Sequence, residues 1–411
     1  MTSRETPAIV VPAVGAASST AVLRSLGRRG VHTIAVSERQ NPPAFASKYC
    51  DEAVRVPDPS VDLRAYRDAL FSLAKRESVE TIVPMREADV YTLAKYRDRF
   101  AEYVTPLWPS LDQLTAVQDR KRLFDVAADI GVPMPETTML GAVSDWDGAQ
   151  IVKSRYAILT ADHEDSVSTR GTVPLPKTMF LESGEPPSRD EIRSAMHHDP
   201  IVQEYVPGTE YTFRGVFDHG EPVATTLKEL VRGIKYSRGP SICHRAASVP
   251  DLEAQGLKLL DHLDWHGLAS VGFIRDEETG DAKLMEVNPR FWASLPMDVH
   301  AGVDHPYYFW SLATGDGGRI EPKCAVGTTS HLLRGELVHL HSVLTEEYPL
   351  VERPSVPGTV WDILTSLYEH PRFDYLTLDD PGPFVRDSLN AVRTNFDPSR
   401  VPGIGRAFSR K

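Results

Sequence analysis

Ala282-Lys-Leu-Met-Glu-Val-Asn-Pro-Arg290 follows a polar turn, Asp276-Glu-Glu-Thr-Gly280, which itself follows the apolar run Ser270-Val-Gly-Phe-Ile-Arg275. Two such runs around a short turn read as a β-hairpin. Glu286 and Asn288 stand two residues apart on the second strand, so both side chains leave the same face. A carboxylate and an amide oxygen there suit a hard cation such as Mg²⁺, which takes few protein groups and leaves its remaining positions to water or phosphates. Arg290 points the same way if the strand persists through Pro289. A planar cation at that place would steady negative charge on a transferring phosphoryl group or a tetrahedral intermediate. Spacing alone fits equally well an edge strand whose polar face meets solvent and which stops at Pro289.

Outward from this hairpin the chain changes character twice. The first hundred residues alternate strand and helix signals: an apolar run Ala8–Pro12, a small-residue turn from Ala13 to Ser19, a helix from Thr20 stopped by Gly30, then strand Val31–Ser37, helix Leu63–Lys75 and strand Thr81–Pro84. That order predicts a parallel sheet covered on both faces. The turn after the first strand is poor in glycine and favours a structural domain over a dinucleotide site. Asp119–Ile130 reads as an amphipathic helix broken by Gly131-Val-Pro-Met-Pro135. From Ile151 to Asn288 short apolar runs separated by turns predict antiparallel sheet with a few helices, among them Leu252–Leu263. Beyond about Glu321 the sequence is less periodic and includes the loop-like Glu352-Arg-Pro-Ser-Val-Pro-Gly358.

The bulk numbers exclude several classes. A chain of 411 residues with 41% hydrophobic and 25% charged content has room for two or three domains with cores of their own. A net charge of −12 offers no basic surplus for nucleic acid. No apolar stretch reaches membrane-span length, and the first residues lack a signal-peptide layout, so the expected location is cytoplasmic. Cys50, Cys243 and Cys324 are too scattered for a disulfide framework or a zinc site.

Several further segments fall in a telling order. Asp119-Arg-Lys-Arg-Leu-Phe124, Gln150-Ile-Val-Lys153 and Ile201-Val-Gln-Glu-Tyr-Val-Pro-Gly-Thr-Glu210 precede the hairpin, with Lys228 and Arg232 between. Together with Glu-Val-Asn-Pro-Arg they resemble the ATP-grasp superfamily, and within it a set of carboxylate–amine ligases related to carbamoyl-phosphate synthase. The likeness runs over nearly the whole chain, taking in Ser47-Lys-Tyr-Cys-Asp51, Gly302-Val-Asp304 and Leu378-Asp-Asp-Pro381.

The resemblance implies an α/β and α+β chain: an N-terminal Rossmann-like pre-ATP-grasp domain (1–112), then a two-part ATP-grasp fold with a lid (113–195) and a core (196–320), and a C-terminal extension (321–411). It implies ATP and Mg²⁺ or Mn²⁺ as cofactors. Arg120, with Lys121 as a substitute, and Lys153 would meet the nucleotide phosphates. Gln203, Glu204, Tyr205 and Val206 would line the base, and Glu210 would take the ribose hydroxyls. Glu286 and Asn288 would hold the metal, while Lys228, Arg232 and Arg290 would serve the reacting phosphoryl and acyl groups. The implied partners are a small-molecule carboxylate and an amine, an amino acid or peptide included, with no nucleic acid or membrane and with a homodimer allowed for. The chemistry would be amide formation through an acyl phosphate with release of ADP.

Two departures qualify this. Most relatives carry Asp or Glu immediately before the residue that is here Phe273, where this chain has Gly272. Asp276 shares the strand face of Gly272 but lies ~13 Å along it, so it or Glu277 substitutes only if the strand bulges. The stretch after Lys153 also lacks the usual glycine-rich flap. A protein that binds nucleotide with a disabled metal site, as a sensor or assembly partner, is the competing expectation. Among other candidates, His339 and His341 fall in an expected helix that points them apart, and His197-His198 reads as an exposed helix end. Arg86-Glu-Ala-Asp89 follows a strand C-terminus, where α/β sheets bind ligands.

Overall fold

The computed structural model describes residues 6–395 apart from 165–166, 168–169, 175–177, 183, 185–187, 316–322 and 349. The expected domain boundary at 320 lies outside the described residues. Strands β1 (Ala8–Pro12), β2 (His32–Ser37), β3 (Glu52–Arg55) and β4 (Val79–Ile82) form a parallel sheet in the order β3-β2-β1-β4. Helices α1 (Ala17–Gly27), α2 (Leu63–Ala74), α3 (Glu87–Lys95) and α4 (Arg97–Ala101) belong to this unit. Every residue of β1 is buried, which is why its run is apolar without alternation. On one face Val10 and Ile34 pack with Leu70, Val90 and Trp108; on the other Ile9 and Val11 meet Val22, Leu26, Phe291 and Phe309. The second face thus joins the N-terminal sheet to the residues just beyond the hairpin.

Helices α5 (Leu111–Gln118) and α6 (Arg120–Asp129) lead into a small antiparallel sheet. It contains β5 (Thr137–Met139), β6 (Gln150–Lys153), β7 (Met179–Leu181) and β8 (Ile201–Glu204) in the order β5-β8-β6-β7, with α7 (Arg189–Met196) between β7 and β8. A second antiparallel sheet holds β9 (Gly208–Asp218), β10 (Glu221–Lys235), β11 (Arg238–Ala247), β12 (Gly267–Asp276), β13 (Ala282–Asn288) and β14 (Thr329–His331), in the order β13-β12-β9-β10-β11-β14. Helix α8 (Pro250–His262) covers it through Leu252, Leu259 and Leu260 against Phe213, Phe217 and Val271. Helices α9 (Leu295–His300) and α10 (His305–Thr314) follow β13.

The C-terminal extension is more helical than expected. Besides the expected helix around His339, α11 (Leu333–Thr345), it holds α12 (Val356–Glu369) and α13 (Gly382–Asn395). Pro357 sits in the first turn of α12, where its missing N–H costs nothing, and the Ser355 hydroxyl caps Gly358. The extension packs back on the N-terminal unit. Asp380 accepts from Arg24 Nε at 2.8 Å, Ser47 Oγ at 2.7 Å and Lys48 N at 2.9 Å, while Asp379 pairs with Arg28 at 2.8 Å. Asp304 accepts from Ser25 Oγ at 2.6 Å. The three segments around residues 47, 304 and 380 therefore clamp α1 and its neighbourhood.

Candidate active site

The geometry begins with strand register. Gly272 on β12 pairs with Glu286 on β13 and with Thr212 on β9, and Thr212 pairs with Lys228 on β10. Paired residues share a face, so Glu286, Gly272, Thr212 and Lys228 form one row ~14 Å long across the sheet. The next row is Asn288, Ser270, Arg214 and Thr226. Glycine in the second lane leaves a trough between the acidic and basic ends. A Cβ built at Gly272 would come no closer than 3.4 Å to Glu286 Cγ, so the space is available.

Arg120, the first residue of α6, connects this face to the small sheet. Its Nη1 donates to Ser154 O at 2.9 Å and Tyr156 O at 3.1 Å, and its Nη2 to Glu286 Oε2 at 3.3 Å. Asp119 fixes the approach, capping α6 through Lys121 N and holding Arg155 Nη2 at 2.7 Å. Lys121 itself turns outward to Asp125. Burial raises the Glu286 pKa, but Arg120, the Asn288 amide and Lys153 more than reverse this, and the carboxyl lies below its usual range. Asn288 Nδ2 donates to Glu286 Oε1 at 2.8 Å, and Asn288 Oδ1 accepts from Arg290 Nη2 at 3.3 Å. The strand ends at Asn288, yet Arg290 still reaches this group.

Two lysines flank the trough. Lys153 Nζ donates to Gln203 Oε1 at 3.0 Å, and Gln203 Nε2 in turn to Thr137 Oγ1 at 2.8 Å. Burial and then Arg120 push the Lys153 pKa down to about 8. Lys228 is buried, and among the described residues its Nζ has neither a hydrogen-bond nor an ion-pair partner; burial and then Arg214 lower its pKa to about 8. An ammonium held in that condition favours an incoming anion.

The segment between the sheets is also ordered. Glu204 Oε1 accepts from Lys283 Nζ at 2.6 Å, and Tyr205 N donates to Ala149 O at 2.9 Å. Arg238 Nη2 donates to Val206 O at 2.9 Å, and its guanidinium lies 5.4 Å from the Tyr205 ring centre and 3.5 Å from Glu210. Burial raises the Glu210 pKa despite Arg238 and Lys228.

Several expectations need correction. Arg232 does not join the row with Lys228. The β10–β11 register slips between Leu230 and Arg232, so Arg232 pairs with Cys243 while Lys228 pairs with Ala246. Cys243 and Ala246 stand on opposite faces, and the bulge turns Arg232 to the other side. There it meets Glu336 Oε2 at 2.8 Å and Ser366 Oγ at 2.8 Å. Asp276 does not replace the absent carboxylate: it caps the hairpin turn through Glu278 N at 2.9 Å and pairs with Lys283 at 3.1 Å. His198 is buried rather than exposed, its Nε2 accepting from Arg155 N at 2.9 Å. The helical reading around His339 and His341 agrees with α11; His339 is buried against Gly233 O at 2.8 Å and His341 is exposed.

Sequence reasoning missed Arg238 and Lys283, and it noted Glu87 only within Arg86–Asp89, without its partner. Glu87 opens α3 and accepts from Arg290 Nε at 2.8 Å and Gln118 Nε2 at 2.7 Å, tying the hairpin's end to the N-terminal unit. Its neighbour Arg86 is spent on Asp89 at 2.9 Å and Glu38 at 3.0 Å. Nothing local in sequence pairs these residues.

Comparison with known proteins bears on the fold. Residues 15–107 match the PylC-like N-terminal domain family. The biotin carboxylase domain of Hydrogenobacter thermophilus 2-oxoglutarate carboxylase, solved with magnesium ADP and bicarbonate, superposes with a TM-score of 0.58 at 16% identity, over 79% of this chain and 74% of that one. Campylobacter jejuni biotin carboxylase gives 0.56 at 13% identity, over 79% and 74%. Thermotoga maritima N5-carboxyaminoimidazole ribonucleotide synthetase gives 0.53 at 14% identity, over 79% and 80%. The chain has the ATP-grasp fold, behind an N-terminal domain similar to that of PylC-like proteins. A comparison with curated protein sequences finds no match. No helix among the described residues is long and apolar enough to cross a membrane.

Proposed function

We propose that this chain is an ATP-dependent carboxylate–amine ligase that activates a carboxylate as an acyl phosphate and releases ADP. The observation that carries the reading is the convergence of Arg120, Lys153 and Lys228, the last without a partner among the described residues, around Glu286 and Asn288. Three cations of different reach can meet a polyphosphate chain. Tyr205 and Val206, held by Arg238, would flank the base, and Glu210 would accept from ribose hydroxyls. Glu286 and Asn288 fit a hard divalent cation, since they offer an ionised carboxylate and an amide oxygen side by side. Such a cation supplies charge neutralisation on the transferring phosphoryl group.

The residues of the chain then act by position and charge. A substrate carboxylate enters beside Arg290, whose Nε–Glu87 pair aims the guanidinium along the hairpin's end. The carboxylate oxygen attacks the γ-phosphorus, ADP departs, and the amine displaces phosphate from the mixed anhydride. Lys228 stabilises charge on the moving phosphoryl group. Incubation with ATP, Mg²⁺ and panels of carboxylates tests this by amine-dependent release of ADP and phosphate. AMP with pyrophosphate would assign a different chemistry.

Gly272 favours one second reading, a nucleotide-binding protein without turnover. It predicts ATP binding that Mg²⁺ leaves unchanged and that no substrate converts to product.

A further inference from the structure

Two connections of the large sheet meet beside α5. One is Asp218-His219-Gly220, between β9 and β10; the other is Asp264-Trp265-His266, between α8 and β12. Gly220 N donates to Trp265 O at 2.8 Å, and Gln113 Nε2 of α5 donates to Leu263 O at 3.1 Å, so both connections are held in place. His219 and Asp264 take left-handed backbone, with φ of 48° and 47°. One ring nitrogen of each histidine and one carboxylate oxygen of Asp218 lie within 4.8 Å of one another. The two imidazoles are 4.5 Å apart, centre to centre, and Asp264 Oδ2 stands 3.5 Å from His219 Nδ1. Among the described residues no arginine or lysine pairs with either aspartate; Arg97 nearby donates to Pro106 O and Trp108 O at 3.4 Å.

His266 points to a ligand. It is 9% exposed, and its Nδ1 is buried with no hydrogen-bond partner although Asp218 Oδ1 is only 3.2 Å away. A buried nitrogen left open beside a carboxylate oxygen is satisfied by a cation between them. Nitrogen and oxygen ligands of a tetrahedral zinc ion stand about 3.3 Å apart, close to the spacing already present. Burial and then His219 lower the His266 pKa despite Asp218, which leaves the ring neutral, as a metal ligand must be. Asp218 and His219 are exposed, so an ion reaches them from solvent, and His219 has room to turn its ring out of the stack towards it. Asp264 supplies the outer carboxylate that orients a ligating imidazole. A second cluster of metal-ligating side chains, Cys243, His331 and Glu336, is the poorer candidate, because Arg232 already holds Glu336 at 2.8 Å. We propose that Asp218, His219 and His266 bind a divalent transition-metal ion such as Zn²⁺, with water completing the shell. The site lies at the far end of β9, ~20 Å along the strand from Thr212, and it stands whether or not the ligase reading holds.

Calorimetry of the untagged full chain, cleared of metal and held in excess Mg²⁺, tests the site with Zn²⁺ and Co²⁺. One Zn²⁺ should bind per chain and raise the melting temperature. Bound Co²⁺ should show visible bands without the near-ultraviolet band of a thiolate ligand. Asp264→Asn should weaken Zn²⁺ binding by about tenfold or more, as the loss of an outer carboxylate does. His219→Gly, which removes a ligand and suits the positive φ, and Asp218→Asn should each weaken it further. Affinity for a non-hydrolysable ATP analogue should stay unchanged in all three variants. Absence of saturable Zn²⁺ binding, or binding unaltered in both His219→Gly and Asp218→Asn, overturns the site. So does a cobalt–thiolate band, which assigns the metal to Cys243 and its neighbours.

Discussion

Arg120 Nη2 lies 3.3 Å from Glu286 Oε2, so the first residue of α6 and the carboxylate of β13 form a single charged group spanning two parts of the fold. The pair gives Glu286 a dual task, since it opposes Arg120 and Lys153 and is also the only carboxylate in its row. Replacement by Gln keeps the shape and removes the charge. Glu286→Gln should leave metal-free binding of an ATP analogue intact or tighter, because the cations lose their internal competitor. The gain in affinity on adding Mg²⁺ should disappear. Calorimetry with and without Mg²⁺ reads both effects, and a preserved Mg²⁺ gain places the cation elsewhere.

Lys153 and Lys228 make nucleotide binding depend on pH. Both titrate near 8 in the free protein, chiefly because burial disfavours their charge. Bound phosphate favours the charged forms and raises both values, so binding takes up protons. Affinity should be flat well below pH 8 and weaken above it, by up to about tenfold per pH unit for each lysine. Dissociation constants of an ATP analogue measured from about pH 7 to about pH 9.5 check this. Lys228→Met should flatten the profile; an unchanged slope in that variant denies Lys228 a phosphate.

The trough at Gly272 accepts a side chain. Gly272→Asp should fold, since its Cβ meets only ordinary contacts with Glu286 and Met285. Two carboxylates facing each other across paired strands repel, so the variant should melt a few degrees lower without metal. Mg²⁺ or Mn²⁺ should restore the loss, and should stabilise the variant more than the parent. A melting temperature indifferent to metal in both proteins argues against a cation in this row.

Arg232 separates a structural role from a catalytic one. Its contacts with Glu336 and Ser366 belong to the extension, and removing one partner of a mostly buried pair costs about 3–5 kcal/mol. Arg232→Ala should lower the denaturation midpoint clearly and leave the affinity for an ATP analogue within roughly twofold, as expected for sites without shared partners. Normal stability with lost nucleotide binding would contradict the placement on the far face.

The parts legible in sequence were those with local signals. The βαβ order of the first hundred residues, the amphipathic helix that begins beside Asp119 and the Glu286–Asn288 spacing each depend on neighbours within a few residues, and each appears where expected. Arg232 was misplaced because parity along a strand holds only without a bulge, and the extra residue in β10 has no mark in the sequence. Arg238 and the Arg290 pairing of Glu87 escaped notice because the partners, Val206 and Arg290, are distant in sequence and meet only when the units assemble. The start of α12 was hidden by Pro357, a loop signal that also serves as a helix start.

The central claim is that the cleft joins a carboxylate to an amine at the expense of the γ-phosphoryl bond. The direct measurement is product analysis with ¹⁸O-carboxylate panels, ATP, Mg²⁺ and candidate amines. The account predicts ADP together with inorganic phosphate that has taken up ¹⁸O from the carboxylate, in amounts matching the amide formed. Unlabelled phosphate, AMP with pyrophosphate, or tight ATP binding with no turnover for any pair would contradict it.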